Sequence, residues 1–156
     1  MKRVRAAAVL LFALLLCAAC GRQTPAPAAQ SAQPTPTALN AAAFMERLRA
    51  AGATVSEDPY TLLKQPFLSV SGHLLSVNGE RVEVYEYASV AAADGDAKNV
   101  SADACLVKTP QGSMMMDWPG PPHVYKSGRV IVLYAGLNSG VITLLVKTLG
   151  PQFAGV

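Results

Sequence analysis

The four residues Val77-Asn78-Gly79-Glu80 constrain this chain more than any other segment. Asn-Gly between two alternating runs specifies a two-residue hairpin turn, because both central positions need positive φ and few residue pairs tolerate it. Leu68 to Val77 and Glu80 to Tyr87 form the arms. Pairing across the turn sets Leu75 opposite Val82 and His73 opposite Val84, all on one face.

Helical punctuation surrounds this hairpin. Asn40 can cap a helix running to Ala51, with Phe44, Leu48 and Ala51 on one side and Gly52 at the left-handed stop position. Ser89 to about Val100 reads as a weaker, alanine-rich helix carrying Gly95. The C-terminal half repeats the plan. Aligning Gly79 with Gly128 sets Glu-Arg-Val-Glu-Val-Tyr85 beside Arg-Val-Ile-Val-Leu-Tyr134, with Lys126 to Arg129 as the second turn. Asn138 to Leu149 then falls where the Ser89 helix falls, with Asn at its start and Gly150-Pro151 at its end. Val141, Ile142, Thr143 and Val146 would equally suit a strand.

These signals predict an α+β fold: an antiparallel sheet of about four strands from a tandem β-β-α unit, preceded by an N-terminal helix. The alignment places Val124, Ile131 and Leu133 on the Leu75/Val82 face, under the helices that follow each hairpin. Leu74, Tyr85, Tyr87, His123, Tyr125, Val130, Val132 and Tyr134 take the other face. Either the Asn40 helix covers those rings, or they form a binding surface.

The first residues say where such a domain works. Lys2, Arg3 and Arg5 precede an uncharged run from Ala6 to Ala19, and small residues then lead into Cys20-Gly21. A basic start, a short apolar stretch and a small-residue cleavage site make a secretory signal. The run is shorter than the roughly 20 residues a spanning helix needs. Cysteine directly after the small residues resembles the lipobox of bacterial lipoproteins, in which that Cys is lipidated and becomes the new N-terminus. Residues 1–19 are therefore expected to be removed. Cys20 is expected to carry lipid such as palmitate, 20–39 to form a disordered Pro/Ala-rich tether, and 40–156 a single domain.

Removing the signal also changes the charge. Three of the thirteen Lys and Arg residues go with it, leaving ten against ten Asp and Glu. A neutral mature chain lacks the cationic surface that nucleic acid requires, and lacks a polybasic membrane contact. No nucleic-acid partner is expected, and the membrane is met through the lipid. Cys17 leaves with the signal, so Cys105 is the one thiol in the folded part.

Chemistry-bearing motifs are sparse. No serine stands in a G-x-S-x-G elbow. Asp94-Gly95-Asp96 fails as a calcium loop because Lys98 falls where an oxygen ligand is required. Glu83 and Glu86 fall on opposite faces of one strand and cannot act as a pair. Soft donors Met114 and Met116 precede His123, a set that could hold Cu(I), with Met115 pointing away.

Gln65-Pro66-Phe67, Leu75-Ser-Val-Asn-Gly-Glu80, Val84-Tyr-Glu-Tyr87, Trp118, Pro121-Pro-His-Val-Tyr125, Arg129-Val-Ile-Val-Leu-Tyr134 and Gly150-Pro-Gln-Phe153 make a further pattern. On these motifs the chain resembles a family of small, functionally uncharacterised bacterial lipoproteins, each a lipobox signal followed by one α+β envelope domain. The resemblance implies a lipid-anchored envelope domain and carries over neither an activity nor site residues. The expected function is a non-enzymatic accessory or binding protein on the cell or outer membrane, facing away from the cytoplasm and needing no cofactor. Its expected partner, another envelope protein, would meet Trp118, His123, Tyr125 and Tyr134 with Tyr85. The alternative is a small-ligand or soft-metal carrier using Met116 and His123, with Met114 as a further donor.

Overall fold

The computed structural model describes residues 38–156. The signal segment, Cys20 and residues 21–37 of the expected 20–39 tether lie outside the described residues, whereas Leu39, expected in that tether, is buried in the core. Asn78 and Gly79 take φ of 52° and 87°, the primed geometry that matches strand twist, and join β2 (Gly72–Val77) to β3 (Glu80–Glu86). The register across the turn is the expected one, with His73 opposite Val84 and Leu75 opposite Val82.

Helix α1 (Ala41–Ala50) begins at Asn40, whose side-chain oxygen accepts from Ala43 N at 2.8 Å, and Gly52 leaves it at φ 91°. Helix α2 (Val90–Ala97) is capped by Ser89. The ambiguous C-terminal segment is helix α3 (Ser139–Leu149), capped by Asn138 through Gly140 N and Val141 N and stopped at Gly150. Its Val141, Leu145 and Leu149 fall one turn apart and are buried together, while Thr143 and Lys147, which a strand would place on the same face, are exposed.

The main sheet is antiparallel but has six strands rather than about four, in the order β1-β2-β3-β7-β6-β8. β6 (Pro122–Ser127) and β7 (Val130–Ala135) form the second hairpin, and β8 is only Ala154–Gly155. β1 (Val55–Leu63) is an edge strand, where a proline can be tolerated. Asp58-Pro59 interrupts its alternation, and the pairing with β2 shifts register between Asp58 and Leu62. The Asp58 carboxylate holds the bulge by accepting from Tyr60 N and Thr61 Oγ1. A separate hairpin joins β4 (Leu106–Thr109) and β5 (Gly112–Met115).

The pairing of β3 with β7 corrects the expected faces. Val84 stands opposite Val132 and Tyr85 opposite Ile131. Leu75, Val82 and Val84 therefore share a core with Tyr125, Val130, Val132 and Tyr134, beneath α1 and α3. Tyr85 and Tyr87 share the opposite core with Val124, Ile131 and Leu133, beneath Ala93 of α2, Phe67, Leu68 and Val107. The error is a single residue. Gly128, at φ 56°, stands where Asn78 stands in the first turn, not where Gly79 stands. A one-residue slip exchanges every side chain between faces. The helices that follow the two hairpins likewise cover different faces, and α1 shares its face with α3. His73 is exposed rather than in the core, beside Glu57 of β1 at 3.0 Å.

Four of the five tyrosines lie in these two cores. Burial pushes the phenols of Tyr85, Tyr87, Tyr125 and Tyr134 upward, and the Glu83 carboxylate adds to the shift of Tyr85. The fold favours each neutral phenol, so this stabilisation is fully present below the ordinary tyrosine value of about 10 and declines above it, where the unfolded chain ionises first. In an alkaline titration, phenolate absorbance from these four rings should rise together with the loss of far-ultraviolet circular dichroism. Their ionisation with the dichroism intact would show that the rings are open to water.

A groove beneath Trp118

Helices cover one face of the sheet more fully than the other. On the α2 side, near the Asn78-Gly79 turn, a groove of about 520 Å³ remains open. Arg81 and Glu83 of β3 and Leu133 and Ala135 of β7 line it from the sheet. Alternate residues of a strand share a face, and Glu83 pairs with Leu133, so one charged and one apolar strand lie side by side. Met116, Asp117 and Trp118, from the segment leading into β6, also line it, as does Gln65, whose amide reaches Glu83.

Trp118 is the chain's single tryptophan and is held in place from outside the groove. Its indole Nε1–H donates to the Ala104 carbonyl at 2.8 Å, and its ring meets that of Phe67 in a T-shaped pair with centroids 6.4 Å apart and planes at 78°. Ala104 is buried in the left-handed conformation at φ 58°, uncommon for a residue with a Cβ. That local conformation sets the direction of the carbonyl that receives the indole. The ring itself is only half-buried.

Glu83 is fixed through one oxygen. Its Oε2 accepts from the Tyr85 hydroxyl at 2.7 Å and from Gln65 Nε2 at 3.1 Å, while Oε1 has no hydrogen-bond partner among the described residues. Glu80, at the rim, accepts from Asn138 Nδ2 and the Tyr134 hydroxyl. Asp117 and Arg81 are exposed, and neither belongs to an ion pair among the described residues.

This placement separates the residues expected to form one aromatic surface. Tyr85 is 0% exposed on the α2 face, whereas Tyr125 (0%) and Tyr134 (2%) lie under α1 and α3. His123 is 6% exposed and stacks on Tyr134 at 5.9 Å, with Nδ1 at 2.8 Å from Gln152 Oε1 and Nε2 at 3.2 Å from the Gly136 carbonyl. The rings are core because both faces of the sheet are covered, and only Trp118 of the five borders the groove.

The soft-donor set is not assembled either. Met116 lines the groove on the α2 face, His123 packs with Tyr134 on the other, and Met114 sits opposite Val107 on the separate hairpin. Among the described residues, no group of three His, Cys, Asp or Glu is placed to hold a metal ion. Cys105 is half-buried beside Asp103. Glu86 faces away from Glu83 and holds Arg129 at 2.7 Å and the first helical N–H, of Ala41, at 3.1 Å.

Arg81, Gln65 and Asp117 were not legible as groove residues. One signal was available for the first: Arg81 and Glu83 occupy a strand face that is apolar elsewhere, at Tyr85, Ile131 and Leu133. No helix among the described residues is long and apolar enough to cross a membrane. No family model, curated protein or solved structure matches the chain.

Proposed function

We propose that this chain is a non-enzymatic binding protein of the bacterial envelope, anchored outside the cytoplasm by lipid on Cys20, and that its ligand occupies the groove beneath Trp118. The observation that carries the reading is the groove itself. It combines a volume of about 520 Å³ with a half-buried tryptophan held by a backbone carbonyl and a carboxylate with one oxygen unclaimed. Small-ligand sites have volumes of roughly 300–1,000 Å³ and pair apolar walls with a few fixed polar groups. The groove also lies at the opposite end of the sheet from Leu39, whose carbonyl meets Arg129 beside the Gly128 turn. An attachment reaching the domain through Leu39 leaves that end free.

Cross-linking in intact cells tests this reading. A photoreactive residue replacing Arg81, at the groove, should give adducts when the protein is expressed in its own envelope. The same residue replacing Thr143, exposed on α3, should give none. Equal adducts at both positions, or none at either, would remove the groove from the account. The soft-metal alternative gains no support from this placement, since Met116 and His123 lie on opposite faces.

A further inference from the structure

Resting on the groove reading, we infer that the ligand group taken into this groove is a cation on an apolar stem, an alkylammonium or guanidinium. Two carboxylates, Glu83 and Asp117, face the space beside one guanidinium, Arg81, while Glu80 only borders it at the rim. They differ in what they have left to offer. The Glu80 carboxylate is turned to the other face of the sheet, where it accepts from Asn138 and Tyr134. Glu83 has its Oε2 occupied by two neutral donors, which fix the carboxylate without neutralising it, and its Oε1 is open. Asp117 makes no hydrogen bond or ion pair among the described residues.

Glu83 is also half-buried, between Arg81 and buried Tyr85 on its own strand and opposite Leu133 on the next. An anion beside apolar walls attracts a cation more strongly than one in open water, because the local dielectric is lower. Trp118 adds the other half of the recognition. Its N–H is spent on Ala104, so what it offers a ligand is the ring, whose face attracts cations. Met116, Leu133 and Ala135 supply apolar surface along which a methylene stem can lie. A neutral apolar ligand would leave the open carboxylate oxygen unpaired, and an anionic one would meet two like charges against one opposite.

Such a group could belong to a basic side chain of a protein partner or to a free amine. Two probes separate these sources: acetyl-Ala-Lys-Ala-amide and 1,5-diaminopentane, each read by Trp118 fluorescence on the full-length chain in detergent. The uncharged peptide acetyl-Ala-norleucine-Ala-amide is the control. Saturable change with at least one cationic probe and none with norleucine is the expected result. Tighter binding of the peptide assigns the group to a protein partner, and tighter binding of the diamine to a free amine. Asp117→Asn and Glu83→Gln should each weaken the bound probe by about tenfold. Asp117 is exposed, so its variant reads the charge without disturbing the fold, and Glu83→Gln is used only if its thermal melt matches the parent.

Norleucine peptide binding as well as the lysine peptide would overturn the inference, as would no fluorescence change with either cation at millimolar concentration. Adducts from position 81 alongside such a failure would leave the groove as a site for other chemistry. Loss of both results would end the binding reading as well.

Discussion

Phe44→Ala should lower the domain's stability by about 3–5 kcal/mol, read as an earlier urea midpoint with an unchanged slope. Phe44 is 0% exposed on α1 and packs in the same core as Leu48, Val82, Val132 and Leu145. Truncation removes the ring's transfer free energy and leaves a space between a helix and a sheet that cannot close around it. A domain of this size has only about 5–15 kcal/mol in total. The effect is therefore a large share of what holds it folded. It also decides a question the sequence left open, whether the Asn40 helix covers one sheet face or leaves it bare. A cost below about 1 kcal/mol would mean that α1 is peripheral and that Tyr125 and Tyr134 can be uncovered.

Gly128→Ala should be the second large loss, and Gly79→Ala its control. Both glycines have positive φ, 56° and 87°, so each variant bears the cost of an L-residue in the left-handed region, about 1–2 kcal/mol. Only Gly128 adds a steric cost. A Cβ there would fall against the backbone N, the Cβ and the carbonyl O of Leu39, whereas one at Gly79 meets nothing within 4 Å. Leu39 is buried, and its carbonyl accepts from Arg129 N at 2.8 Å, so it cannot move aside freely. Overpacking of this kind adds about 1–3 kcal/mol. The thermal midpoint of Gly128→Ala should therefore fall well below that of Gly79→Ala. Equal midpoints would mean that the chain entering at Leu39 is not seated on the second turn.

The same glycine explains where the sequence misled. Asn40, Asn78-Gly79, Asn138 and Gly150 each act within a turn or two of themselves, and each is where the local chemistry put it. Assigning a face to the second hairpin needed one more fact: which turn position Gly128 occupies. Lys126-Ser127-Gly128-Arg129 holds a single glycine with nothing to fix its place, and one residue of error exchanged the two cores. β1 escaped notice because Asp58 and Pro59 break its period at a bulge, and β8 because two residues have no period. The hairpin of β4 and β5 was hidden by a run of three methionines carrying no alternation.

The site was less legible than the fold, for the same reason. Trp118 stood out by its rarity, but its setting depends on Ala104, Phe67 and Arg81, contacts that span the sequence and follow only from the sheet order. Tyrosines placed together on one sheet face, covered or open, divide between two buried layers once the strand order is set.

The most direct test of the groove uses the single tryptophan. In isotope-labelled full-length protein the Trp118 indole N–H gives one resonance, and envelope extract from the source cells can be titrated against it. With a ligand in the groove, this resonance and the Arg81 to Glu83 amides shift together, while Thr143 and Lys147 on α3 stay fixed. Shifts confined to α3, or an indole resonance that never moves, would contradict it.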